Sequence, residues 1–161
     1  MKKWFMVTSI SFVLLLLGAS VLSYYVVRAP LEKGYEQAEK YVLNQEVLHE
    51  INTIHYYHGT DPYYILYGLN EELEETIVWL RQDFEEVVSR KASEGITTEE
   101  VINKVKDDLG IPTVQKVRLG FERGLPVYEV VFIDEDNRQG YYYITFDDGT
   151  FMKRYSLRRE I

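Results

Sequence analysis

Three histidines, a run of carboxylates and one glutamate inside a strand-like run are the side chains here that could do chemistry. His49, His55 and His58 are the only histidines, and the chain has no cysteine. A transition-metal site needs three or four such ligands converging on one point. His55 and His58 stand three apart in an aromatic stretch, an odd step that sends them to opposite faces of a strand. They read as surface or packing residues, and no metal is expected. Asp134-Glu135-Asp136-Asn137 has the composition of a calcium loop. It lacks the twelve-residue spacing with a central Gly and a closing Glu, so it reads as a solvated turn. Glu129 has no second carboxylate that the sequence sets beside it, so an acid–base pair is unsupported. Phosphate loops, G-x-S-x-G elbows and H-E-x-x-H helices are absent. These residues predict no enzyme activity and no cofactor.

The elements that hold Glu129 organise the rest. Gly124 to Phe151 reads GLPVYEVVFIDEDNRQGYYYITFDDGTF, two β-branched and aromatic runs bounded by acidic turns. Such runs predict antiparallel strands in a meander, with Gly149 supplying a positive φ in the second turn. Sliding the chain by 64 positions sets Pro62 on Pro126, Tyr64 on Tyr128 and Ile77–Leu80 on Tyr141–Ile144. A fixed self-similarity suggests a duplicated unit, and two copies predict two small related domains.

Charge narrows the partners. All 26 acidic residues follow Arg28, while Lys2, Lys3 and Arg28 are already spent before the soluble part begins. The soluble part is therefore more acidic than the net charge of −8 for the whole chain. That argues against nucleic acid and against docking on anionic lipid. Without cysteine there is no disulfide, Cys nucleophile or lipidated N-terminal Cys.

Trp4 to Val27 contains no charged residue. As a helix it would reach roughly 36 Å at about 1.5 Å per residue, enough to cross a bilayer with some tilt. Trp4 and Val27 mark its expected ends. Lys2-Lys3 places the N-terminus in the cytoplasm and residues 29–161 outside the cell membrane. Gly18-Ala19-Ser20 and Val21-Leu22-Ser23 offer the small residues of a cleavable signal. The apolar run continues to Val27, longer than a signal core, so an uncleaved single-pass anchor is expected.

Ala29-Pro30 is expected to break that helix or start a new one. Leu31, Tyr35, Ala38 and Val42, extended by Tyr41 and Leu48, then line one face of an amphipathic helix. Strands are predicted over residues 51–58, 63–69, 76–81 and 84–90. Thr97 with Glu100 forms a capping box for a second helix. Its buried stripe is Val101, Val105 and Leu109, and Gly110 with Pro112 ends it. Further strands are predicted over residues 114–121, 127–133, 141–146 and 151–157. The expected fold is α+β: an anchor over 1–28, a first helix-plus-sheet repeat over 29–92 and a second over 93–161, each helix packed on one face of a small antiparallel sheet. A fragment from Ser93 onward is expected to fold alone.

The middle strands of the second repeat are apolar on both faces. One face holds Tyr128, Val130 and Phe132; the other holds Glu129, Val131 and Thr145 and is expected to look away from the helix. Its centre would be Val131, Tyr141 and Tyr143, with Lys116, Arg118 and Arg154 at the rim. An aromatic centre with an Arg-bearing rim is the composition of an interaction surface, and the competing reading is that the first repeat covers it.

Residues 93–161, with the helix from Thr98, then PVYEVVF and YYYITFDDGTF, resemble the PepSY domain. The wider layout, above all VRLGFERGLPVYEVVFIDEDNRQGYYYITFDDG over Val117–Gly149, resembles the TseB-like (YpmB) proteins of Gram-positive bacteria. The acidic Asn70–Glu75 stretch and Leu80-Arg81-Gln82 depart from the pattern. The resemblance implies a membrane-anchored regulator of cell-wall elongation that works with a penicillin-binding transpeptidase, with no catalytic residues to carry over. An alternative, drawn from other PepSY domains, is an inhibitor or chaperone of an extracellular peptidase. Nothing in the sequence sets an oligomeric state.

Overall fold

The computed structural model describes residues 2–110 and 113–158; Pro112, the expected helix stop, lies outside them. The element order is α1 (Lys2–Asn44), β1 (Glu50–His58), β2 (Pro62–Leu69), β3 (Glu75–Arg81), β4 (Val87–Lys91), α2 (Thr98–Leu109), β5 (Val114–Glu122), β6 (Leu125–Ile133), β7 (Gln139–Thr145) and β8 (Phe151–Leu157). The fold is α+β, with two four-stranded antiparallel meanders in the orders β1-β2-β3-β4 and β5-β6-β7-β8, each with a helix. Contacts divide the chain into Met1–Gln37 and Ala38–Ile161.

The first unit is helical throughout its described residues, and Trp4 and Val27 both lie in α1. Phe12 to Leu17 and Leu22 are exposed, and the helix is long and apolar enough to cross a bilayer. The expected break at Ala29-Pro30 does not occur, because α1 runs through Pro30. A proline removes one backbone hydrogen bond and crowds the preceding turn, but its φ suits a helix and the turns on either side remain bonded.

In the second unit, the bounds of β5 and β7 are those of β1 and β3 displaced by the same 64 positions that align Pro62 with Pro126. The duplicated phrase in the sequence is thus a duplicated meander. The last turns of α1 bury Ala38 and Val42, and the chain then reverses through Glu46, at φ 57°, to bury Leu48. Leu48 sits over Gly68, on the face of the first sheet that also carries Leu66 and Val78. Phe84 was expected in a strand. It lies instead in the β3–β4 turn at φ 65°, with its ring 5.3 Å from Tyr41 and 6.3 Å from Tyr64. Arg81 fixes that turn by pairing with Asp83, Glu85 and Glu86.

Helix α2 has the predicted bounds because its local signals are complete. Thr97 Oγ1 accepts from the Glu100 N–H, the Glu100 carboxylate accepts from the Thr97 N–H, and Gly110 closes the helix at φ 64°. Val101 and Val105 are fully buried. They enter a core that draws on both halves: Tyr57, Tyr63, Ile65 and Trp79 from the first sheet, with Phe121, Tyr128, Phe132 and Phe146 from the second half. Tyr63 lies 4.5 Å from Phe121 and Trp79 lies 5.4 Å from Phe146, ring centre to ring centre. The first sheet is therefore covered on one face by the end of α1 and on the other by the second repeat. Positions 92 and 93 separate two sequence repeats, whereas the core runs across them.

Candidate functional site

Strand register decides which residues of the second sheet share a face. Lys116, Val131, Tyr141 and Tyr155 form one row across β5–β8. Arg118, Glu129, Tyr143 and Lys153 form the next. Both rows lie on the face opposite Tyr128, Val130 and Tyr142, which point into the core. Four of the five expected site residues, Val131, Tyr141, Tyr143 and Arg118, are thus brought together. Arg154 is not among them. It pairs with Tyr142, and its guanidinium stands 5.4 Å from the centre of the Phe132 ring. One residue along a strand reverses the side-chain direction, so Arg154 cannot share a face with Lys153 and Tyr155.

This outer face is concave. Lys153 on β8 reaches Glu122 on β5, Nζ to Oε2 2.7 Å, although β6 and β7 lie between those strands. The first repeat adds to the contact. Tyr57 Oη donates to Glu122 Oε1 at 2.8 Å, the Thr60 N–H donates to the same oxygen at 3.2 Å, and Thr60 Oγ1 donates to Oε2 at 2.9 Å. Two glycines permit the approach. A Cβ on Gly120 would lie 2.5 Å from the Tyr57 ring, and one on Gly59 would lie 2.2 Å from Glu122 Oε1. Burial alone would push the Glu122 carboxyl upward. The hydrogen bonds from Lys153, Tyr57 and Thr60 outweigh it and hold the group below its ordinary value. Glu122 is an ionised clasp, 2% exposed, between the β1–β2 turn and the far edge of the second sheet.

Beneath the clasp lies a second charged pair. Arg118 Nε and Nη2 both bond Glu129 Oε1, at 2.6 and 2.5 Å, and Tyr143 Oη donates to Glu129 Oε2 at 2.5 Å. Burial, the bond to Glu129 and the contact with Tyr155 push the Tyr143 hydroxyl far above the ordinary phenol range. Tyr143 is 2% exposed, so its place is inside this polar layer. Tyr141 is half-buried and stacks on Tyr155 at 4.9 Å with an interplanar angle of 19°. Tyr155 itself is 42% exposed. The concavity left between the clasp and these rings has a volume of about 380 Å³. Every oxygen of the two glutamates accepts a hydrogen bond.

Reading the sequence missed Tyr57, Thr60, Glu122 and Lys153. Glu122 has the strand parity of Arg118, and Gly59 and Gly120 hinted at close approach. The contacts join residues 62 and 65 positions apart, which no local pattern encodes. The acidic turn is satisfied internally: Asp134 accepts from the Asp136 and Arg138 N–H groups and from Arg138 Nε. His55 packs edge-on against Tyr67 and His58 against Tyr56.

A family described as the cell wall elongation regulator TseB-like domain matches residues 37–81. The chain is 25% identical over 140 residues to a Bacillus subtilis (strain 168) protein named "Probable cell wall elongation regulator TseB", covering 86% of each. Its fold matches the solved structure of the YpmB protein from Bacillus subtilis, with a TM-score of 0.73 and 22% identity over 77% of this chain and 98% of that one. The chain is TseB/YpmB-like. The family match ends at Arg81, so it covers α1 from Gln37 to the end of β3. In this TseB-like chain the concave face and its clasp glutamate lie beyond that segment, except for the Tyr57 and Thr60 contribution.

Proposed function

We propose that this protein is a membrane-anchored extracytoplasmic binding module that regulates cell-wall elongation together with a penicillin-binding transpeptidase. The observation that carries the reading is the similarity, over 86% of either chain, to a protein named "Probable cell wall elongation regulator TseB". The apolar part of α1 serves as a single-pass anchor with the N-terminus in the cytoplasm and the two sheets outside. Sharing a membrane with the partner raises its effective concentration, so a weak contact suffices. The role is one of recognition, without catalysis: the charges of the concave face are paired with one another. The partner contact falls on the outer face of the second sheet, at Val131, Tyr141 and the exposed Lys116, beside Arg118 and Tyr143.

A photo-crosslinking amino acid at position 116, used in intact growing cells, tests the partner. The expected product is an adduct with a transpeptidase of wall elongation. An adduct with an unrelated protein, at a level matching a control site on β4, would remove the partner assignment. Protease added to protoplasts tests the topology, and it should digest the sheets and leave a short membrane-embedded fragment. Full-length survival would place the sheets inside.

A further inference from the structure

We propose that the concavity at the clasped end of the outer face binds a neutral sugar ring, as part of a glycan strand. Its charges cancel. Glu122 and Glu129 are matched by Lys153 and Arg118, so the site offers no net attraction to an anion or a cation. It nonetheless concentrates hydrogen-bonding groups in fixed positions. Arg118 spends Nε and Nη2 on Glu129, and Lys153 spends one N–H on Glu122. A guanidinium carries five N–H donors and an ammonium three, so both keep donors for a ligand. The Arg118 and Lys153 side chains are 38% and 28% exposed, enough to reach one.

The lining also carries the rings of Tyr141, Tyr143 and Tyr155, with His58, Gly59, Thr60 and Leu157. Tyr155 lies against Tyr141 and Tyr143, with ring centres 4.9 and 5.9 Å away. Tyr155 is 42% exposed, and Leu157, two residues along the same strand, is 54% exposed. A pyranose has one face of C–H groups and a rim of hydroxyls. The faces suit an aromatic surface and the hydroxyls suit donors and acceptors held by buried counter-charges. The volume of about 380 Å³ is within the range of small-ligand sites. An acidic peptide or a nucleic acid would gain nothing from a neutral groove in a chain of net charge −8. This inference stands apart from the choice of protein partner, whose contact is read at the Lys116 end of the face.

The test uses the full chain in a zwitterionic detergent free of sugar. The probes are the β-1,4-linked tetramer of N-acetylglucosamine and, as a rival, a neutral tetra-alanine peptide. Saturation-transfer NMR should show transfer to the ring C–H protons of the tetrasaccharide and none to the peptide. Tyr155→Ala should weaken the sugar by about tenfold or more, while Tyr155→Phe keeps the ring and most of the affinity. Both variants should still unfold cooperatively, with at most a modest drop in midpoint from the lost contacts with Tyr141 and Tyr143. No transfer to the tetrasaccharide, transfer indifferent to Tyr155→Ala, or preferential binding of the peptide would each overturn the proposal. The crosslink at position 116 reports the protein partner separately, so either reading can fail alone.

Discussion

Replacing Glu122 with Gln keeps the shape of the side chain and removes the charge that four donors share. Those donors are Lys153 Nζ, Tyr57 Oη, the Thr60 N–H and Thr60 Oγ1. A glutamine offers one acceptor oxygen, and its NH₂ group would face a donor. At least two donors then lose their partner in a place where Glu122 and Tyr57 are almost fully buried. Hydrogen bonds to a charged group are each worth about 1.5–3 kcal/mol, and breaking a buried ion pair costs about 3–5 kcal/mol. Lys153 is 28% exposed and regains some hydration, so the expected loss is about 3 kcal/mol, toward the lower end. Urea unfolding at pH 7 measures it. The pH dependence supplies an independent check. The folded Glu122 carboxyl lies below its unfolded value of about 4.3, so its stabilisation is complete above that pH and fades as pH falls through the lower folded value. The gap between wild type and Glu122→Gln should therefore be constant from pH 7 down to about 5 and shrink below about 4. A loss under about 1 kcal/mol at pH 7, or a gap that does not shrink in acid, would refute the clasp.

Three further outcomes follow from the same geometry. Tyr143→Ser should cost about 3–5 kcal/mol, because the ring is buried and Glu129 loses a donor, whereas Tyr141→Ser, at a half-buried position, should cost far less in urea unfolding. A fragment from Ser93 to Ile161 should lack a cooperative unfolding transition by circular dichroism. Phe121 and Phe146 would lose Tyr63 and Trp79, and a sharp transition in the fragment would show that the second repeat holds its own core. Thr97→Ala should lower stability by about 1 kcal/mol through the lost cap, with the helix bounds unchanged by amide hydrogen exchange.

Much of the architecture was legible in the residues. The capping box at Thr97 and the glycine at position 110 set α2 by interactions within four residues of each end, so local pattern sufficed. Alternation and acidic turns placed the strands of the second sheet, and the 64-residue echo revealed the duplicated meander. Where the local rules competed, they failed. Pro30 sits inside a helix whose neighbouring turns stay bonded, and Phe84 leaves the strand pattern to lodge between Tyr41 and Tyr64. Period-two alternation puts Tyr141 and Tyr143 on one face, because side-chain direction alternates along a strand, and the β6–β7 register sets Val131 opposite Tyr141 on that face.

What the sequence by itself determined, then, is what contacts near in the chain carry: the bounds of α2, the alternation along each strand, the apolar anchor-length helix and the repeat. Tertiary structure alone decided how the two repeats meet. The second repeat covers a face of the first, the second sheet curls until Lys153 meets Glu122, and Tyr57 and Thr60 arrive from another sheet to complete the clasp. The same curl turns Tyr143 from a surface residue into a buried donor, and register alone moves Arg154 to the opposite face. The physical reason is that sheet curvature and inter-sheet packing arise from the summed shape of many side chains, and a buried charge settles where distant donors converge, which no window of neighbouring residues can specify.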